Sequence, residues 1–298
     1  MSLQAELIRS MSRVFIRRGL NTTLDVASTR ARMRAYERRV PRAPARTETV
    51  EKPLGAVRAV RISRPETQRG RFILFLHGGA YVTGSPTLYR HIGWRFAGAA
   101  KAQFIAIEYR LAPENPFPAA VDDAFEAWNA LLGEGANPSH CAIMGDSAGG
   151  GLALALALRL RDEGRPLPGA LVAISPWTDL AVTGRSAQPP AADPMLYAEH
   201  LAEYAAQYLA GADARQPYAS PLYGDPRGLP PTLLQVGGDE ILRDDSVRMA
   251  QRMREARCKV TLEVWPRMPH VWHAFAPIMP EAGRAIARVG AFLQQWMA

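Results

Sequence analysis

The stretch Gly145-Asp-Ser-Ala-Gly149 fits the pattern G-x-S-x-G. In that pattern a serine stands on a sharp strand-to-helix turn with its hydroxyl exposed for nucleophilic attack. Five residues of common types are a weak signal alone. The context strengthens it, because the apolar run Cys141–Met144 leads directly in and an apolar helix opens at Gly150. A strand–turn–helix arrangement holds Ser147 in a strained conformation and points a helix N-terminus at developing negative charge. The bland alternative is a glycine-rich turn with an incidental serine. A second stretch, His77-Gly-Gly-Ala80-Tyr81, follows another apolar run. Consecutive small residues let backbone N–H groups converge on one point, as an oxyanion requires, with the N–H of Ala148 as a further donor. Taken alone, this stretch also reads as a plain flexible turn.

A serine nucleophile needs a base and an acid that orients the base. After an elbow of this kind the chain order is serine, acid, histidine. Three of the six histidines, His200, His270 and His273, lie beyond Ser147. His270 follows the run Val260–Val264 and so falls at the same sheet edge as the elbow, whereas His200 lies in a helical stretch and His273 reads as a packing residue. Asp239 follows the run Thr232–Val236 through two glycines, which also places it at that edge. Asp244 and Asp245 are rivals that read better as caps of the following helix. Glu240 is a weaker rival, since adjacent side chains in a turn point in different directions.

The elements needed to position these residues are visible as apolar periodicity. An antiparallel pair is expected near Ala56–Ile62. Nearly continuous apolar runs follow at 72–76, 104–107, 141–144, 170–174, 232–236 and 260–264, the signature of strands buried on both faces of a parallel sheet. Helical stripes separate them: Val121, Phe125, Trp128 and Leu132; Leu152 to Leu160; and Ile286, Val289, Leu293 and Trp296. This alternation predicts an α/β fold, a mostly parallel doubly wound sheet. Residues 184–215 interrupt it, with Tyr197, Leu201, Tyr204 and Tyr208 at helical spacing. At the N-terminus Leu3, Leu7, Met11, Val14 and Phe15 form a further stripe. Both segments are expected to lie above the carboxyl edge of the sheet as a cap.

Composition narrows the function classes. The 298 residues are 48% hydrophobic and 21% charged, an ordinary globular balance. Only Cys141 and Cys258 are cysteines, which excludes a disulfide scaffold and a Cys-only metal site. No His/Asp cluster has metal-ligand spacing. The net charge of +8 sits at the N-terminus, where residues 1–50 hold 11 Arg and 4 acidic residues. With 33 Arg, 3 Lys and a nearly neutral remainder, the excess reads as genomic base composition rather than a nucleic-acid surface. The N-terminus lacks a secretory apolar core, and no apolar run is long enough to span a membrane. A cytoplasmic protein without membrane insertion is therefore expected.

Seven stretches together carry a resemblance: His77-Gly-Gly-Ala-Tyr, 109–120 (Tyr-Arg-Leu-Ala-Pro-Glu-Asn-Pro-Phe-Pro-Ala-Ala), Gly145–Gly150, Ser175-Pro-Trp-Thr-Asp-Leu180, Gly228-Leu-Pro-Pro231, Asp239–Asp245 and Met268-Pro-His270. In this order they resemble the hormone-sensitive-lipase family of α/β-hydrolases, its bacterial esterase group. The resemblance implies an α/β-hydrolase domain over residues 46–298 with a cap built from residues 1–45 and an insertion at about 184–215. It implies Ser147 as nucleophile, His270 as base and Asp239 as acid. Oxyanion donors are implied among Gly78, Gly79 and Ala80, with Ala148. The family usually carries a third glycine where Ala80 stands; a methyl there leaves the donor in place provided φ is negative. The implied activity is a cofactor-free and metal-free serine carboxylesterase acting on small acyl esters of short to medium chain length, as a monomer or homodimer. The alternatives are an amide or acetyl-sugar deacetylase with the same three residues, or a ligand receptor on the same scaffold.

Overall fold

A computed structural model describes residues 2–13, 25–41, 43–188 and 193–297. Eight strands form one sheet: β1 (Glu48–Glu51), β2 (Ala59–Ser63), β3 (Phe72–Leu76), β4 (Gln103–Ile107), β5 (Cys141–Asp146), β6 (Ala170–Ile174), β7 (Thr232–Gly237) and β8 (Val260–Trp265). Their spatial order is β1-β2-β4-β3-β5-β6-β7-β8. The β1–β2 and β2–β4 pairs are antiparallel, and every pair from β4 through β8 is parallel. The carboxyl ends of β5, β7 and β8 therefore lie at one edge, β5 being separated from β7 only by β6.

The apolar runs behave as expected in the middle of the sheet, where β5 and β6 are buried throughout. The edge strand β8 departs from that expectation, since none of its positions is fully buried and Thr261 and Val264 are exposed. It has a neighbour on one side only, so its outer edge is left unpaired by the sheet. Two apolar layers enclose the sheet. Helix α5 (Ala148–Asp162) is buried along nearly its whole length, which explains why its sequence is apolar all round. The other body helices are α3 (Arg90–Ala100), α4 (Ala119–Gly133), α7 (Arg243–Glu255) and α8 (Pro280–Trp296).

The N-terminal helix α1 (Leu3–Met11) turns a different face inward from the one its stripe suggests. Leu3, Leu7 and Met11 are 87%, 61% and 48% exposed, while Ala5 and Ile8 are buried against Met268, Trp272, Met279, Ala282 and Ala285. Polar anchors fix this rotation. The Ser2 N–H and hydroxyl both donate to Glu281, Arg9 pairs with Asp239, and Glu6 pairs with Arg267. Val14 and Phe15, the rest of the expected stripe, lie outside the described residues. Helix α2 (Val26–Glu37) is tied to the body by Arg30, which donates to the carbonyls of Val82 and Ala112 and pairs with Glu114.

The insertion between β6 and β7 forms α6 (Ala198–Leu209). Leu201, Ala205, Tyr208 and Leu209 join the main core, and the Tyr208 ring stacks on Tyr81 at 3.8 Å. Asp244 and Asp245 do not cap the following helix. They lie within the first turn of α7, where Asp244 accepts from the Ser186 N–H and Asp245 from the N–H groups of Thr178 and Asp179.

Candidate active site

Ser147 sits between β5 and α5 with φ 53° and ψ −124°, a conformation an L-residue adopts only under constraint. Three hydrogen bonds impose it. Its N–H donates to the Ile174 carbonyl at 2.8 Å, and its own carbonyl accepts from Gly151 and Trp177 at 3.1 and 2.9 Å. The flanking glycines are sterically required, because a Cβ on Gly145 would run into the Gly149 carbonyl and one on Gly149 into that of Leu76.

The turn brings the Ser147 hydroxyl to 3.0 Å from Nε2 of His270. His270 lies beyond β8, as its place in the sequence suggests. The acid is where expectation and structure part. The carboxylate on His270 Nδ1 belongs to Glu240, at 2.7 Å, and not to Asp239. Asp239 points the other way and accepts from Arg9 Nε at 2.6 Å. The reason is local. Glu240 Oε1 accepts from the Gly237 N–H at 2.6 Å, so the side chain folds back over its own turn. The extra methylene then carries the second oxygen to His270. The Ser175 hydroxyl, buried at the end of β6, also donates to Oε1 at 2.7 Å and accepts from the Val271 N–H at 3.2 Å.

The electrostatics follow from burial and these partners. Burial lowers the basicity of His270, but Glu240, with smaller contributions from Asp193 and Asp146, more than offsets this and leaves its pKa above the ordinary value. Burial raises Glu240, opposed by the His270 charge and the hydrogen bonds from His270 and Ser175. With a carboxylate on Nδ1, the neutral ring carries its proton there, so Nε2 is free to accept from Ser147.

Among the expected oxyanion donors, Gly78 is already engaged. Its N–H donates to Asp146 Oδ1 and to the Tyr89 hydroxyl, both at 3.0 Å. That hydroxyl in turn donates to Asp146 Oδ2 at 2.8 Å. The N–H groups of Gly79, Ala80 and Ala148 take no acceptor among the described residues. Ala80 has φ 53°, contrary to the negative φ expected of it. An alanine tolerates this region at a cost of roughly 1–2 kcal/mol, so the positive φ strains the turn but does not remove the N–H as a donor, and the condition of a negative φ is not needed.

Four residues that sequence reasoning missed support the arrangement: Ser175, Asp146, Tyr89 and Asp193. Ser175 and Asp146 lie within stretches that carry the resemblance, but nothing in their spacing signals a role. Of the other histidines, His273 is buried with Nε2 2.8 Å from Gln235 Oε1, and burial lowers it to about 3. His200 lies on α6 with its ring beside Tyr197. No group of three or more His, Cys, Asp or Glu side chains suited to a metal ion occurs among the described residues. No helix among them is long and apolar enough to cross a membrane.

The sheet order, the strained serine after β5 and the histidine after β8 define an α/β-hydrolase. The family profile described as alpha/beta hydrolase fold matches residues 73–274. An acetyl-hydrolase of Streptomyces hygroscopicus is 49% identical over 232 residues, 78% of each chain. An esterase of Acinetobacter venetianus is 37% identical, covering 80% of this chain and 79% of its own. The crystal structure of an esterase from the bacterial hormone-sensitive lipase family superposes with a TM-score of 0.94 at 40% identity, covering 100% of this chain and 99% of that one. The chain belongs to the hormone-sensitive-lipase family of α/β-hydrolases and is a carboxylic ester hydrolase.

Proposed function

We propose that the protein hydrolyses small acyl esters of short to medium chain length through an acyl-enzyme, with Ser147 as nucleophile, His270 as base and Glu240 as the orienting acid. The observation that carries this reading is the unbroken chain from the Ser147 hydroxyl through His270 to Glu240, at 3.0 and 2.7 Å. Ser147 Oγ attacks the ester carbonyl while His270 Nε2 takes its proton. The oxyanion is held by the N–H groups of Gly79, Ala80 and Ala148. Collapse breaks the bond to the alcohol oxygen, which leaves with the proton from His270. Water then attacks the acyl-serine, giving its proton to His270, and collapse returns that proton to Ser147 as the acid departs. Residues 1–45 and 184–215 act as the cap that shapes the acyl pocket. The name of the Streptomyces relative supports a small acyl group.

The test is Ser147→Ala together with a series of nitrophenyl esters from acetate to palmitate and a matched anilide. Loss of the nucleophile should lower kcat on the order of 10⁴–10⁶-fold with the fold intact. A folded variant retaining a tenth of the activity would refute the assignment. Turnover should fall off beyond medium chains, and a preference for the anilide would point to an amidase.

A further inference from the structure

Glu240 is gripped on both sides by segments that are not part of the sheet. Immediately before it, Asp239 Oδ2 accepts from Arg9 Nε of α1 at 2.6 Å. Both side chains of that pair are largely withdrawn from water, at 17% and 21% exposure. Immediately after it, the Ile241 N–H donates to Asp193 Oδ2 at 2.9 Å. Asp193 is buried just ahead of α6, and its other oxygen accepts from the N–H groups of Met195 and Leu196 at 2.7 and 2.9 Å. The Ser186 hydroxyl of the same insertion donates to the Ile241 carbonyl at 2.6 Å. Residues 239 and 241 are thus each held by a chain segment far away in sequence, with the acid between them.

We propose that Arg9 and Asp193 are positioning residues for the acid: the docked N-terminal helix and the insertion hold the turn 239–241 where Glu240 reaches His270. This rests on the reading of Ser147, His270 and Glu240 as a working triad. The physical argument is one of reach. A bond of 2.7 Å between Glu240 and His270 has little slack, and hydrogen bonds are lost beyond about 3.5 Å. Gly237 and Ser175 fix the carboxylate relative to β6 and β7, and bonds from the Gly238 N–H to the Trp265 carbonyl at 2.8 Å and from the Glu240 N–H to the Gly237 carbonyl at 3.3 Å tie the start of the turn to the sheet, but these do not anchor residues 239 and 241 themselves. The charge-assisted pair at Asp239 and the buried bond at Ile241 do. A turn released on either side shifts by enough to lengthen the bond, and misplacement near 1 Å costs on the order of 100-fold in rate. The carboxylates that face His270 are Glu240 from the turn, Asp193 from the insertion and Asp146 from the end of β5. Loosening the turn withdraws the first of them, and replacing Asp193 removes the second.

The competing view is that the Arg9–Asp239 pair merely fastens α1 to the body, in which case its loss lowers the melting temperature and leaves the chemistry alone. The full-length variants Arg9→Met, Asp239→Ala, their double and Asp193→Asn separate the two views, assayed with nitrophenyl acetate across pH and by thermal melting. We expect each single variant to lose about 5–30-fold in kcat with KM within twofold. The acid limb of kcat/KM should move to lower pH by about half a unit or more. The double should be no worse than the poorer of its singles, because the two side chains act as one unit. If Arg9→Met melts below the assay temperature, Asp239→Ala carries the test, since it keeps every apolar contact of α1. Unchanged kcat and acid limb in Arg9→Met and Asp239→Ala would overturn the role of Arg9, and the same result in Asp193→Asn would overturn that of Asp193. Activity surviving Ser147→Ala would instead strike the triad reading on which the proposal stands.

Discussion

At His270, burial and charge act in opposite directions. Burial favours the neutral ring, while Glu240 at 2.7 Å, with Asp193 and Asp146 behind it, favours the protonated one, and the charges win. In the proposed mechanism the neutral ring is the base, so activity should disappear as pH falls through a value higher than the ordinary 6.5. A pH profile of kcat/KM checks this, and a midpoint below 6 contradicts it. The division of labour between two adjacent carboxylates is sharper still. Glu240→Gln removes the charge that stabilises the imidazolium and should cost on the order of 10³–10⁴-fold in kcat. Asp239→Ala should cost far less, because its carboxylate meets Arg9 rather than the ring. Equal losses in the two variants would show that the acid is not confined to Glu240.

Among the elements, the loop after β6 is fastened to α7 by a buried carboxylate. Asp245 Oδ2 accepts from the N–H groups of Thr178 and Asp179 at 2.7 and 2.9 Å. Burial lifts its carboxyl to about 7, against the hydrogen bond from Thr178. An unfolded aspartate titrates near 4. The folded chain therefore binds the extra proton more tightly, and stability present below about pH 4 is lost as pH rises towards 7. Asp245→Asn keeps an oxygen for both N–H groups and removes the titration. Its melting temperature should hold more nearly constant between pH 5 and 8 than that of the natural chain. Parallel curves for the two proteins would show that Asp245 does not titrate in this range.

Over the whole molecule, the strand ends of the sheet bring Ser147, His270 and Glu240 together, and segments outside the sheet bind the residues on either side of Glu240. Deleting residues 1–40 should leave a folded hydrolase with lower kcat and an altered ratio of kcat/KM between short and long acyl esters. An unchanged ratio would show that these residues do not line the acyl pocket. Much of this arrangement is legible in the chain itself. Continuous apolar runs give the central strands, because a strand covered on both faces has no polar position to spare. The elbow glycines and the serine–acid–histidine order give Ser147 and His270, because those residues must fall at the ends of particular strands. The acid is not legible to the residue, since Asp239 and Glu240 follow the same strand at nearly the same distance. What chooses between them is a backbone N–H from Gly237 and a hydroxyl from Ser175, just beyond the end of a different strand. The same holds for α1, whose spacing offers a Leu3–Leu7–Met11 face, while Ser2, Glu6 and Arg9 bind partners that turn Ala5 and Ile8 inward. Periodicity and order are local properties that a sequence carries outright. Which of two neighbouring side chains meets a histidine thirty residues on depends on contacts that exist only once the chain is folded.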